Sequence, residues 1–237
     1  SRRHLVNNYI TDQEITEELA DEAKERAQSE YDSMVAYYGS SWNQVLAESN
    51  YASGEQLLKD FENSYRQSLV LEEYLKNDVI TAEEIRDYYD NNIYGDSTVR
   101  HILTIPEVDD DMDSTEKADA KQKALEEATA IIEELQNSDN LEEDFSNIAK
   151  EQSDDTGTAS EGGLLENINN DSGLAEEFWE ASRDLEVGKF TTEPVETEFG
   201  YHIIYKVSQK DKPSLDEVRN SILDSLVDEM LSEQNSS

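Results

Sequence analysis

Apolar residues recur every three or four positions through the first ninety residues, a spacing that predicts helices. Thr11 with Glu14 makes a capping box ahead of a long helix reaching about Tyr38. Ser41 with Gln44 opens a short helix carrying Trp42, Val45 and Leu46. Ser53 with Gln56 opens another, with Leu57, Leu58, Phe61, Tyr65, Leu69 and Leu71 near helical spacing. Thr81 with Glu84 opens a fourth, carrying Ile85, Tyr88 and Tyr89. No proline precedes Pro106, and only two glycines precede Gly95, so little interrupts this run.

The pattern changes at the polar turn 91–96. Thr98 to Ile105 (TVRHILTI) is short and rich in β-branched residues and predicts a strand. Pro106 to Asp113 is an acidic loop. Ser114 to Gln136 is a helix with Ala118, Ala124, Leu125, Ala128, Ile131, Ile132 and Leu135 as its apolar stripe. A second helix covers Leu141 to Gln152, a loop of small residues Ser153 to Gly163, and a third helix Leu174 to Leu185, with Phe178 and Trp179. Pro194 marks a turn or strand edge, and Tyr201 to Ser208 (YHIIYKVS) reads as a strand. After the linker 210–213, Ser214 with Glu217 caps a last amphipathic helix carrying Leu215, Val218, Ile222, Leu226 and Met230. Its apolar face needs a partner. A helical bundle before the α+β segment supplies one, which makes that segment an insertion.

Composition narrows the function. There are 57 acidic against 19 basic residues, a net charge of -38, so phosphate backbones and anionic lipid are repelled. The charge reads either as a device for solubility or as selection for basic clients or for cations such as calcium. No cysteine is present, which removes disulfides, thiolate metal sites and cysteine nucleophiles. No run of eighteen apolar residues and no opening signal peptide occur, leaving either a cytosolic protein or one whose targeting segment has been removed.

Three histidines occur, and two of them, His101 in VRHIL and His202 in GYHII, lie mid-strand among apolar residues. Spacing alone admits two satisfied core histidines, or two imidazoles meeting at one site on adjacent strands. Neither cysteine nor HxxxH spacing accompanies them, which argues against zinc. There is no GxSxG elbow, no phosphate-binding glycine loop, and no carboxylate pair that stands out from the abundance of acids.

Val99 to Val207 resembles the parvulin domain of peptidyl-prolyl isomerases. The resemblance rests on VRHIL at 99–103, DFSNIAKEQSDD at 144–155, ASEGGLL at 159–165, LAEEFWEASRDLEVG at 174–188 and EPVETEFGYHIIYKV at 193–207, in that order and spacing. It implies a four-stranded antiparallel sheet with surrounding helices. It also implies a site in which His101, His202 and Asp155 are catalytic and Leu165, Leu174, Phe178 and Phe199 bind substrate, with no cofactor and no metal. Asp154 is a rival for the carboxylate position. The usual GGDLG reads GGLLE, with Leu164 and Glu166 as departures that put the rate in question. A phosphate-directed relative carries a basic cluster after the first strand; here that loop is PEVDDDMDSTEK, so phospho-specificity is not expected.

The flanks, including TAEEIRDYYDNN at 81–92, resemble extracytoplasmic foldases of the PrsA type, related to SurA-type chaperones. The resemblance implies an α+β protein with residues 96–208 as the parvulin domain. Residues 1–95 plus 209–237 then form an all-α chaperone domain into which it is inserted. The implied function is prolyl isomerisation and chaperoning of secreted proteins; the alternative is a holdase with a weakly active or inactive parvulin domain. Implied partners are unfolded exported chains with X-Pro bonds, and a second copy in a homodimer. The implied location is outside the cytoplasmic membrane of a Gram-positive bacterium. Such proteins begin with a signal peptide and a lipid-carrying cysteine; with neither in this sequence, the resemblance implies a trimmed, soluble form.

Overall fold

The computed structural model describes residues 15–235. They form two compact units: Asn92–Ser214, and the residues up to Asn91 together with those from Leu215 onward.

The helical unit opens with α1, Glu17–Tyr38, whose N-cap is Thr16; its side chain accepts from the Leu19 N–H at 3.2 Å. The Thr11–Glu14 box lies outside the described residues. Next come α2, Trp42–Glu48, and α3, Gly54–Tyr74. The Ser41–Gln44 box does not form. A 3₁₀ turn, Gly39–Ser41, runs directly into α2, so Ser41 is already helical and makes no side-chain cap, while Gln44 bonds Glu48 instead. Capping needs an extended backbone at the cap residue. Ser53 has one, and its hydroxyl accepts from the Gln56 N–H while the Gln56 side chain accepts from the Ala52 N–H. Trp42, Leu46 and Leu57 are buried among Tyr31, Met34, Val35 and Phe61.

A π turn, Leu75–Val79, follows α3, and α4 spans Ala82–Asn92. The Thr81 hydroxyl caps α4, accepting from the Glu84 N–H at 3.1 Å. The last helix, α8, Leu215–Asn235, belongs to this same unit. Its Ile222, Leu226 and Val227 are buried, and Asp224 pairs with Lys76 on the π turn at 2.6 Å. The apolar face of the final helix thus finds its partner in helices that precede the sheet.

In the second unit, β1 (Ser97–Thr104), β2 (Leu164–Ile168), β3 (Val195–Thr197) and β4 (Gly200–Gln209) form an antiparallel sheet in the order β2-β1-β4-β3. Helices α5, Ser114–Gln136, and α6, Leu141–Gln152, fill the connection from β1 to β2. Helix α7, Glu176–Asp184, lies between β2 and β3 and starts two residues later than the apolar pattern indicates, because Leu174 and Ala175 are still extended loop.

Strand alternation splits this unit into two cores. Ile102, Tyr201, Ile203 and Tyr205 pack with α5 and α6 around the fully buried Phe145. Val99 and Ile204 face the other way, onto Ile168 and the α7 residues Phe178 and Trp179. The unit reaches slightly beyond 96–208. The incoming and outgoing chains run side by side: the Lys210 N–H donates to the Asp96 carbonyl at 2.8 Å, and a Cβ at Gly95 would run into the Lys210 carbonyl.

Candidate active site

Strands β1 and β4 are neighbours, with His101 opposite Ile204 and Leu103 opposite His202. Directly opposed residues share a face, so both histidines point to the α7 side, diagonal to each other. Their Nδ1 atoms are 3.3 Å apart, and both side chains are buried. Phe178 meets both rings edge-on, with centroids 5.2 Å from His101 and 5.1 Å from His202.

The loop after α6 brings up a carboxylate. Asp155 Oδ2 lies 2.8 Å from His101 Nε2 and accepts the Thr158 hydroxyl at 2.6 Å. The rival Asp154 is used elsewhere: its Oδ2 accepts from the Ile105 N–H at 2.8 Å, where β1 ends. The loop is locked at its far end by Gly163, whose carbonyl accepts from the His101 N–H. Gly163 has φ +73°, and a Cβ there would strike the His101 carbonyl, so glycine is required.

His101, Leu103, Asp155, Leu165, Gly173, Leu174, Ala175, Phe178, Phe199 and His202 line one cavity of about 310 Å³. It therefore contains all seven residues singled out from the sequence. The same segment matches the PPIC-type PPIASE (rotamase) domain over residues 101–208. Residues 101–208 belong to the parvulin-type rotamases.

Across 96% of the chain, the sequence is 24% identical to foldase protein PrsA of Levilactobacillus brevis and spans 68% of that relative. Identity to foldase protein PrsA 1 of Lactobacillus johnsonii is 26%, over 98% of this chain and 69% of the relative. Peptidylprolyl isomerase PrsA of Bacillus cereus shares the fold, with a TM-score of 0.55 and 22% identity, covering 96% of this chain and 73% of that structure. Along nearly its whole length the chain is similar to these PrsA foldases.

The hydrogen bonds in the parvulin cavity have one self-consistent direction. A carboxylate can only accept, so His101 Nε2 carries a proton toward Asp155. The neutral His101 then offers Nδ1 as an acceptor to the Nδ1–H of His202. This leaves His202 Nε2 bare, and the Thr197 hydroxyl donates to it at 2.7 Å. The Phe199 N–H in turn donates to Thr197 Oγ1 at 3.2 Å. Both imidazoles are neutral in this chain, as burial requires. Burial pushes His101 below its ordinary value, opposed only in part by Asp155. Burial, reinforced by the neighbouring His101, pushes His202 down to about 4. Burial tends to raise Asp155, but the bonds from Thr158 and His101 hold it below the usual carboxylate range, so it is ionised.

Thr158, Thr197 and Leu103 are the contributors that residue spacing does not reveal. For Thr197 a signal existed: the tight β3–β4 hairpin pairs Thr197 with Gly200 and Val195 with His202, which puts Thr197 diagonal to His202 on one face. Lys206, four residues beyond His202, is fully buried at the end of α7. It donates to the Arg183 carbonyl at 3.0 Å and the Gln209 side chain at 3.1 Å, and burial lowers its pKa. Among the described residues, no group of three or more His, Cys, Asp or Glu side chains is placed to hold a metal ion.

Proposed function

We propose that the chain catalyses peptidyl-prolyl cis-trans isomerisation in exported polypeptides, with His101, His202 and Asp155 as its catalytic residues. Leu165, Leu174, Phe178 and Phe199 take the substrate. One observation carries this reading: an apolar cavity large enough for a proline ring, with two mutually hydrogen-bonded, neutral imidazoles on its floor.

An X-Pro bond isomerises over a barrier of about 18–20 kcal/mol and makes or breaks no covalent bond. Only the twisted amide, which has lost its resonance, has to be stabilised. Leu165, Leu174 and Phe178 grip the ring while the chain before it turns. The low-polarity cavity disfavours the planar, charge-separated amide. The histidines transfer no proton; their locked tautomers keep the floor neutral and its shape constant. Asp155 anchors that lock and places one negative charge beside the rotating carbonyl. Among the described residues no lysine or arginine lines the cavity, and the loop 106–113 is acidic, which favours clients without phosphate.

The helical unit is proposed as the chaperone domain, with residues 1–95 and 209–237 holding unfolded client segments. The proposed setting is the outer face of the cytoplasmic membrane of a Gram-positive bacterium, with attachment through a lipid anchor and pairing into a homodimer. The decisive experiment follows isomerisation of Ala-Ala-Pro-Phe peptides by the whole chain, His101→Ala and His202→Ala. Acceleration that falls sharply in both variants is expected. A folded chain that suppresses aggregation without accelerating isomerisation is a holdase, and the enzymatic reading then fails.

A further inference from the structure

Lys206 is a buried lysine that the chemistry of the cavity does not use, and it does not line that cavity. Its Nζ donates to the Arg183 carbonyl at 3.0 Å and to the Gln209 side chain at 3.1 Å. Both acceptors are neutral. An apolar side chain of the same length would fill the space without the cost of burying an amine. It could not hold one particular carbonyl.

That carbonyl belongs to the last turn of α7, where helix carbonyls lack partners within the helix. Among the described residues this is the one hydrogen bond that ties α7 to the sheet. The Ser182 hydroxyl, buried in the same turn, has no hydrogen-bond partner among them. The rest of the contact is apolar, with Phe178 and Trp179 packed on Val99, Ile168 and Ile204. Such contact is non-directional and leaves a helix free to slide and turn. With nine residues, α7 is too short to hold its shape alone, and Ala175 at its start offers no side-chain cap. Phe178, its third residue, stands at that uncapped start and meets both imidazoles.

Strand β4 joins the two ends. His202, Ile204 and Lys206 alternate onto one face, with Leu103, His101 and Val99 opposite them on β1. The strand thus touches α7 at Phe178 through His202 and at Arg183 through Lys206. We propose that Lys206 is a positioning residue of the isomerase site: by fixing the last turn of α7 to β4, it sets where Phe178 stands over the histidine pair. The inference rests on the isomerase reading and adds to it a residue outside the cavity.

The test compares the whole chain with Lys206→Met in three measurements: kcat and KM on Ala-Ala-Pro-Phe, thermal melting, and the imidazole NMR signals of His101 and His202. In Lys206→Met, kcat/KM should fall roughly tenfold or more, since a misplacement on the order of 1 Å suffices for that. Melting should hold or rise, because an apolar side chain replaces a buried amine. Both sets of imidazole signals should shift, because the Phe178 ring has moved against them. The chain has no cysteine, which permits a rescue. Lys206→Cys, alkylated in urea with bromoethylamine and refolded, regains an amine at the same reach; alkylation with bromopropane gives the same length without a donor. The aminoethyl form should recover the rate and the histidine signals, and the propyl form should not. Full rate in Lys206→Met would overturn the inference and leave the isomerase reading intact. A rate lost only in step with melting, with unmoved histidine signals in the folded protein, would also overturn it, because Lys206 is then a helix cap alone. No turnover by the unaltered chain would overturn the isomerase reading itself, and the histidine signals would still decide whether Lys206 places Phe178.

Discussion

His101 and His202 face each other through their Nδ1 atoms at 3.3 Å, so one ring must donate and the other accept. Asp155 at one end and Thr197 at the other decide which. The pair therefore works as a neutral unit, and it has an acid limit. Unfolded histidine takes up its proton near 6.5, whereas folded His202 does so at about 4 and folded His101 also below its ordinary value. Between these pH values the unfolded chain binds more protons, so stability falls as pH falls. His202 contributes about 3 kcal/mol above pH 6.5 that is gone below pH 4. Urea melts at pH 7, 5.5 and 4.5 should show this decline, and His202→Phe should flatten it. Isomerase activity should follow the same acid limb.

Breaking the chain at its Thr197 end separates orientation from bulk. Thr197→Val keeps the shape but leaves His202 Nε2 without a donor, a loss of about 1–3 kcal/mol for a buried group. The second tautomer of the pair then becomes accessible, and kcat should drop with little change in KM. Thr197→Ser should restore it. Equal kcat in the valine and serine variants would refute a positioning role.

The two adjacent aspartates should behave differently. Asp155→Asn should cut kcat/KM strongly and leave melting little changed, because Asp155 meets His101 in the cavity. Asp154→Asn should do the reverse, since Asp154 secures the end of β1. Parallel thermal melts and peptide assays on both variants distinguish them.

Phe178→Ala removes the ring that touches both imidazoles and fills the α7 core. A loss of about 3–5 kcal/mol is expected, together with near-complete loss of isomerisation even in the fraction that stays folded. Phe178→Leu should recover most of the stability but less of the activity, because the edge contacts to the histidines are gone.

The two units should carry separable activities. A fragment of 92–214 should melt cooperatively and turn over proline peptides about as well as the whole chain. Suppression of aggregation of a proline-poor client should need the helical unit and survive His202→Ala. Full suppression by the fragment alone would refute this division.

Local patterns carry most of the secondary structure. The three-to-four residue stripes of α5 and α6, and the β-branched runs around His101 and His202, set those elements almost to the residue. Periodicity is a property of one element, and these are long enough to show it. Strands β2 and β3 are not legible this way, because five and three residues hold too few alternations. They exist because β1 and β4 offer them edges. The seven cavity residues were legible as a group through the order of short motifs along the chain. Their hydrogen bonding was not. Whether Asp154 or Asp155 meets His101 depends on how the loop after α6 folds back across β1. That path is set by the Ser153 hydroxyl at the Leu103 N–H and by Gly163 against His101. The tautomer of each histidine depends on Thr197 and Asp155, residues 42 positions apart that share no local pattern. A proton's place on a ring is decided by partners in space, and only the tertiary structure brings those partners within 3 Å.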